Sequence, residues 1–162
     1  MAPRVSSVLQ RLLREQKITP SRTSAGMVQK ELEGGRFDLQ EAKDSLGLGK
    51  YKWATVQAYY SSFHSARGLL YAKNFREQSH RGLLAAIREL YHREIPESLL
   101  EAFGDAMSMR EAADYGLVYS EDGAETAIET AERILDKASR ILMVRRKTST
   151  RQTNNRPRAT TQ

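Results

Sequence analysis

The sequence predicts an all-α protein: an antiparallel up-and-down bundle of four to five helices, with a short extra helix in front and a basic tail behind. Three observations predict it. Apolar residues recur at helical spacing along most of the 162 residues, no segment alternates convincingly with period two, and glycine, proline and potential capping serines fall between the periodic stretches.

Val5, Val8, Leu9, Leu12 and Leu13 make residues 4–16 a short basic amphipathic helix. Ile18–Gly26, with Pro20 and several Ser/Thr, reads as a linker. Met27, Val28 and Leu32 begin a helix that Gly34-Gly35 should weaken by about 1 kcal/mol per glycine. Phe37, Leu39, Ala42 and Leu46 resume it, and Gly47 and Gly49 supply its stop.

Residues 50–73 carry the strongest helical pattern. Tyr51, Trp53, Val56, Tyr59, Tyr60, Phe63, Ala66, Leu70 and Tyr71 form a wide apolar and aromatic stripe, and Asn74 suits a left-handed cap. Ser79 is placed to cap the next helix, which runs through Tyr91 with Leu83, Leu84, Ile87 and Leu90 inward. Pro96 fits a first helical position ahead of Leu99, Leu100, Phe103 and Met107, and Gly116 ends that helix. Ser120 then caps a last helix with Glu121 and Asp122 at its positive end, Lys137 and Arg140 toward its negative one, and an apolar stripe from Ala124 to Leu142. Three segments follow: 1–24 as helix and linker, 25–144 as the bundle, and 145–162 as a tail whose near lack of aliphatic side chains predicts disorder.

Composition narrows the function. With no cysteine there is no disulfide scaffold, thiolate metal site or cysteine nucleophile. The longest aliphatic run, Leu83 to Ile87, is far short of the roughly 20 residues of a membrane span, and nothing resembles a signal core, so a cytoplasmic protein without membrane contact is the default. The net charge of +6 comes entirely from residues 145–162, which hold six cations and no acid. Within the rest, residues 50–93 carry eight cations against Glu77 and Glu89, while residues 94–136 carry twelve acids against Arg110 and Arg133. Such polarity serves either internal pairing or a basic face kept for phosphate.

Several side chains depart from a plain core. At ideal helical spacing Tyr60, His64, Arg67 and Tyr71 share one flank, a cradle for a phosphate and a stacked base. The plainer reading pairs Arg67 with an acid of a neighbouring helix and leaves His64 as a satisfied, half-buried histidine. Arg110 continues the apolar stripe set by Phe103 and Met107, where a guanidinium needs a partner or a ligand; Asp114 is the local partner at i+4. Arg76 and His80 flank a loop-to-helix turn suited to anions, unless Ser79 only caps and Glu77 neutralises Arg76. No glycine-rich phosphate loop or His-Glu-x-x-His motif is present, and three scattered histidines make no metal site, so neither cofactor nor metal is expected.

Tyr51-Lys52-Trp53-Ala54, Ala58-Tyr59-Tyr60, Phe63-His64-Ser65-Ala66-Arg67 and Leu69-Leu70 resemble the second helix of HEPN domains (higher eukaryotes and prokaryotes nucleotide-binding). Arg76-Glu77-Gln78-Ser79-His80 and Arg110-Glu111-Ala112-Ala113-Asp114-Tyr115-Gly116 resemble two further signatures of a prokaryotic branch, so that the likeness covers roughly residues 25–144. The resemblance implies a helical bundle, often a homodimer with a groove at its interface, and in many members a small nucleotidyltransferase partner, sometimes as a toxin–antitoxin pair. Catalytic members are metal-independent ribonucleases with an arginine, four to six residues, then a histidine. Here Tyr115 stands at the four-residue histidine position after Arg110, and Arg76–His80 and Arg88–His92 are each one residue short.

The leading expectation is therefore a non-catalytic module binding nucleotide or RNA phosphate through Arg76, His80, Arg67 and Arg110, with Tyr60 or Tyr115 for stacking and Asp114 beside Arg110. A second reading is a ribonuclease in which His80 or His64 replaces the missing histidine. A third is a purely structural bundle in which Arg110 and Asp114 lock a helix end. The basic tail either adds salt-sensitive nucleic-acid affinity or is a solvated end.

Overall fold

Residues 5–153 are described by the computed structural model, with side chains described through Val144. The elements in order are α1 (Ser7–Arg14), β1 (Ile18–Pro20), α2 (Ala25–Gly47), α3 (Tyr51–Tyr71), β2 (Phe75–Glu77), α4 (His80–Tyr91), α5 (Glu97–Tyr115) and α6 (Glu121–Thr153). The fold is all-α, as the periodicity predicts. The aromatic-rich α3 is its axis, packed against α2, α5 and α6. Its Ala58, Tyr59, Leu69 and Leu70 are fully buried, as are Tyr91 from α4 and Phe103 from α5. Trp53 departs from the predicted stripe: it stays half-exposed with Lys52 over its ring, 4.8 Å from the centroid.

Both predicted serine caps form, and Ser6 and Ser24 cap α1 and α2 as well. Ser79 Oγ accepts from the Gly82 amide at 2.9 Å and Ser120 Oγ from the Gly123 amide at 3.0 Å, each satisfying a donor that the first helical turn leaves free. Asn74 adopts the left-handed conformation, φ 61°, after α3. Pro96 is the residue before α5 rather than its first.

Two expectations are corrected. The stretch predicted to be a linker contains β1, which pairs antiparallel with β2 in the register Ile18↔Glu77, Thr19↔Arg76, Pro20↔Phe75. Ile18 is fully buried, and the Gln78 amide donates to the Lys17 carbonyl at 2.8 Å, so residues 17–20 are stitched to the α3–α4 connection. A three-residue strand ending in proline is too short to show a period of two.

Second, Gly34-Gly35 does not interrupt α2. A Cβ on Gly35 would lie 2.9 Å from Ser65 Oγ and 3.3 Å from the Ser61 carbonyl, and Ser61 Oγ donates to the Gly35 carbonyl at 2.7 Å. The glycine lets α2 and α3 approach closely, and that packing outweighs its low helix propensity. α6 runs from Glu121 to Thr153. The rest of the tail, 154–162, lies outside the described residues, as do residues 1–4.

Candidate functional site

The four residues expected on one flank of α3 face three different neighbours. At 100° per residue a small angular spread becomes a wide one at the end of long side chains, and each is captured by whatever group lies nearest. His64 reaches α2: its Nδ1 is 2.7 Å from Glu31 and its Nε2 3.4 Å from Asp38. Arg67 reaches β2, donating from Nε at 2.8 Å and lying 2.6 Å by Nη2 from Glu77, with Glu31 at 3.7 Å and the Phe63 ring beneath its guanidinium. Tyr71 is buried and accepts from Arg76 Nη2 at 3.1 Å. Only Tyr60 turns toward α5, where the Arg110 guanidinium lies over its ring. His64 and Arg67 thus take the plainer of the two sequence readings, closed by carboxylates of their own chain. Glu77, expected beside Arg76, serves Arg67 instead. Burial raises the Asp38 carboxyl pKa, and the nearby imidazole opposes that rise.

Arg110 has a different setting. It occupies the predicted inward position on α5, with only 11% of its side chain exposed. Its guanidinium sits over Tyr59, 5.1 Å from the ring centroid, and over Tyr60 at 5.9 Å. Nη1 donates to Asp114 at 3.3 Å, a long contact, and the buried Nε has no hydrogen-bond partner. Burial works against the cation, but the Asp114 hydrogen bond and the nearby Tyr60 and Tyr59 outweigh it and raise the pKa further. Arg110 is a permanent charge with an unused donor.

The third member of this cluster comes from the first turn of α4. Tyr59 Oη and His80 Nδ1 are 2.6 Å apart, and the imidazole is stacked on Phe63 with ring centroids 4.4 Å apart. Burial pushes the Tyr59 phenol up, so it keeps its proton. Burial lowers the His80 pKa, and the charges of Arg110 and Arg67 lower it further. With both groups neutral, the phenol donates to Nδ1 and the imidazole keeps its proton on Nε2.

Arg110, Tyr59, Tyr60, His80 and Asp114 therefore converge, drawn from α3, α4 and α5. The combination offers a fixed positive charge, a buried N–H without an acceptor and a neutral imidazole, groups of the kind that bind phosphate oxygen and move protons near neutral pH. Arg76 and His80, though close in sequence, are held by different tyrosines. Tyr115 is 83% exposed at the end of α5. A hollow of about 820 Å³ lies elsewhere, at the far end of α3, lined in part by Ser24, Arg36, Tyr71, Asn74 and Met143. Among the described residues no group of three or more His, Cys, Asp or Glu side chains is arranged to hold a metal, and no helix is long and apolar enough to cross a membrane. Sequence reasoning missed Tyr59, whose place in the apolar stripe hides its hydroxyl, and the acids Glu31 and Asp38, which nothing in α3 announces.

Comparisons with known proteins find one family model, two relatives and a solved structure. A HEPN domain model matches residues 28–142. A Methanocaldococcus jannaschii protein named "Putative toxin MJ0605" is 30% identical over 126 residues, covering 71% of this chain and 88% of the relative. An Archaeoglobus fulgidus "UPF0332 protein" is 29% identical over 103 residues, 62% of this chain and 82% of the relative. The crystal structure of TT1696 from Thermus thermophilus superposes with a TM-score of 0.59 at 26% identity, over 70% of this chain and 96% of that one.

Proposed function

The chain belongs to the HEPN domain family, and from that premise we propose that it is a module binding a nucleotide or RNA phosphate at Arg110. The observation that carries this reading is the buried guanidinium with an unpartnered Nε, set on two tyrosine rings beside a neutral histidine. A bundle needing only internal cohesion is better served by an aliphatic side chain there. A phosphate oxygen supplies the missing acceptor once the groups covering Nε move aside, and Tyr60 gives a base an aromatic face. Arg67 holds β2 against α3 rather than touching the ligand. The module works as a homodimer, non-catalytic, docked on a small nucleotidyltransferase in a toxin–antitoxin setting; the name of the M. jannaschii relative supports that setting.

Titration of the purified protein with labelled nucleotides and short RNA at low salt tests the ligand. Binding that Arg110→Met weakens at least tenfold is expected; no binding, with or without a partner, removes this reading. Co-purification from the native host tests the nucleotidyltransferase, and sedimentation tests the dimer.

One observation favours a second reading, a metal-independent ribonuclease. His80 reaches the Arg110 cluster through Tyr59, so the proton-carrying group missing after Arg110 has a substitute on another helix. RNA cleavage in EDTA, lost in His80→Gln and kept in His64→Gln, is the result this reading requires.

A further inference from the structure

α3 is covered on every side but one. Between Trp53 and Leu70 its residues are buried except for Trp53, Gln57, Tyr60, His64 and Arg67. At 100° per residue these fall within about 80° of arc, so they form one open strip along the helix. The strip lies between α2, which His64 reaches, and α5, which Tyr60 reaches. Its half toward Arg67 is closed by the chain's own carboxylates, those of Glu31, Asp38 and Glu77.

The other half presents two aromatic rings. Gln57, between them, is tied to Ser45 of α2, 2.7 Å away. Trp53, the chain's only tryptophan, is 51% exposed, although tryptophan is on average a well-hidden residue. Trp53 and Tyr60 are seven residues apart, which sets them within about 20° of one line and about 10.5 Å apart along the axis. Each ring has a cation on it: Lys52 Nζ lies 4.8 Å from the Trp53 centroid, and the Arg110 guanidinium 5.9 Å from that of Tyr60.

We propose that Trp53 is a second base-stacking subsite, so that the ligand is a strand of at least three nucleotides rather than a single nucleotide. The proposal rests on the reading of Arg110 as the phosphate site and extends it along α3. A ring beside a cation, repeated along one line, matches a strand in which base and phosphate repeat. At about 3.4 Å per stacked nucleotide, a strand passes from Tyr60 to Trp53 in about three steps, and in fewer when drawn out. Every base has an aromatic face, so the subsite reads length and not sequence. The carboxylates around His64 and Arg67 repel phosphate, which directs the strand from Tyr60 toward Trp53 and not the other way. A protein partner would want an apolar centre, whereas here a charge sits on both rings.

Trp53 emission reads this subsite directly, because no other tryptophan contributes. The full chain is titrated at low salt with a mononucleotide and with a labelled RNA of about six nucleotides. The longer ligand should quench Trp53 and bind at least tenfold tighter, while the mononucleotide leaves the emission unchanged. Trp53→Ala should lower affinity for the RNA about tenfold and leave that for the mononucleotide as it was; Trp53→Phe, which keeps a ring, should retain most of it. Arg110→Met should weaken both ligands. Equal affinity for the two ligands, no quenching, or parent-like RNA binding by Trp53→Ala overturns the second subsite and leaves the Arg110 site standing. No binding of either ligand by the parent overturns both. A dimer that dissociates on Trp53→Ala, read by sedimentation, assigns the strip to a protein interface and also overturns the proposal.

Discussion

Arg67 and Arg110 are the same residue in adjacent parts of one bundle, and they are held in opposite ways. Arg67 is a quarter exposed yet fully engaged: Glu77 takes two of its nitrogens at 2.6 and 2.8 Å, Glu31 stands behind at 3.7 Å, and Phe63 lies under the plane. Arg110 is more deeply buried but less well matched, with one long bond to a partly exposed aspartate and an Nε that donates to nothing. Burial alone does not separate structural from functional arginines. The separating quantity is how much of the hydrogen-bonding capacity the chain itself uses up. On the proposed reading, the satisfied guanidinium of Arg67 is internal glue and the one of Arg110, with capacity to spare, takes the ligand.

Substitution can break that contrast. Arg67→Ala strands Glu77, whose side chain is 8% exposed, and should destabilise the protein by about 2–3 kcal/mol, toward the low end for a broken buried pair because the guanidinium is partly solvated. Urea unfolding reads this, and ligand affinity should not move beyond the loss of folded protein. Gly82→Ala attacks both clusters together. Its Cβ would lie 2.7 Å from the Lys17 carbonyl and 2.8 Å from Ser79 Oγ, so the turn carrying Glu77 and His80 must shift. A loss of about 2 kcal/mol is expected, with weakened binding as well.

Arg110→Met should show the reverse of Arg67→Ala. An apolar chain of similar length suits the site and Asp114 can hydrate, so stability should change by no more than about 1 kcal/mol. Affinity should fall at least tenfold, about 1.4 kcal/mol. A large stability loss with unchanged binding would instead make Arg110–Asp114 a structural lock.

The smallest effect is in pH. His80 titrates below its ordinary 6.5 in the folded state, so on acidification the unfolded chain takes up the proton first. Stability should therefore be fully present above 6.5 and decline as pH falls below it, until the folded state is protonated too. His80→Gln should flatten that part of the curve relative to the parent, which circular dichroism melts at stepped pH would show.

Most of the fold was legible because it is written locally. The aromatic stripe of α3, the caps at Ser79 and Ser120 and the left-handed Asn74 each follow from a few neighbouring residues. The unread parts are encounters between distant segments. β1 announces itself by no alternation, and Gly35 looks like a weakness until Ser61 and Ser65 of another helix are set against it. The candidate site divides in the same way. Arg110 was legible as a charge on an apolar face, and Asp114 as its neighbour four residues on. That His80 would be drawn to Tyr59, while His64 and Arg67 were closed off by Glu31, Asp38 and Glu77, depends on which elements arrive beside α3.

The pairing of Ile18 with Glu77 carries a consequence for how the chain is made. α2 and α3 form a helical hairpin from contacts close in sequence, and such units assemble early. β1 has no mate until β2 has emerged, nearly sixty residues later by the register, so during synthesis Leu9, Leu12 and Ile18 wait in water for their place. That interval is when a nascent chain is most open to chaperones and to wrong partners, and it closes only when β2 and α4, on which α1 packs, have cleared the ribosome.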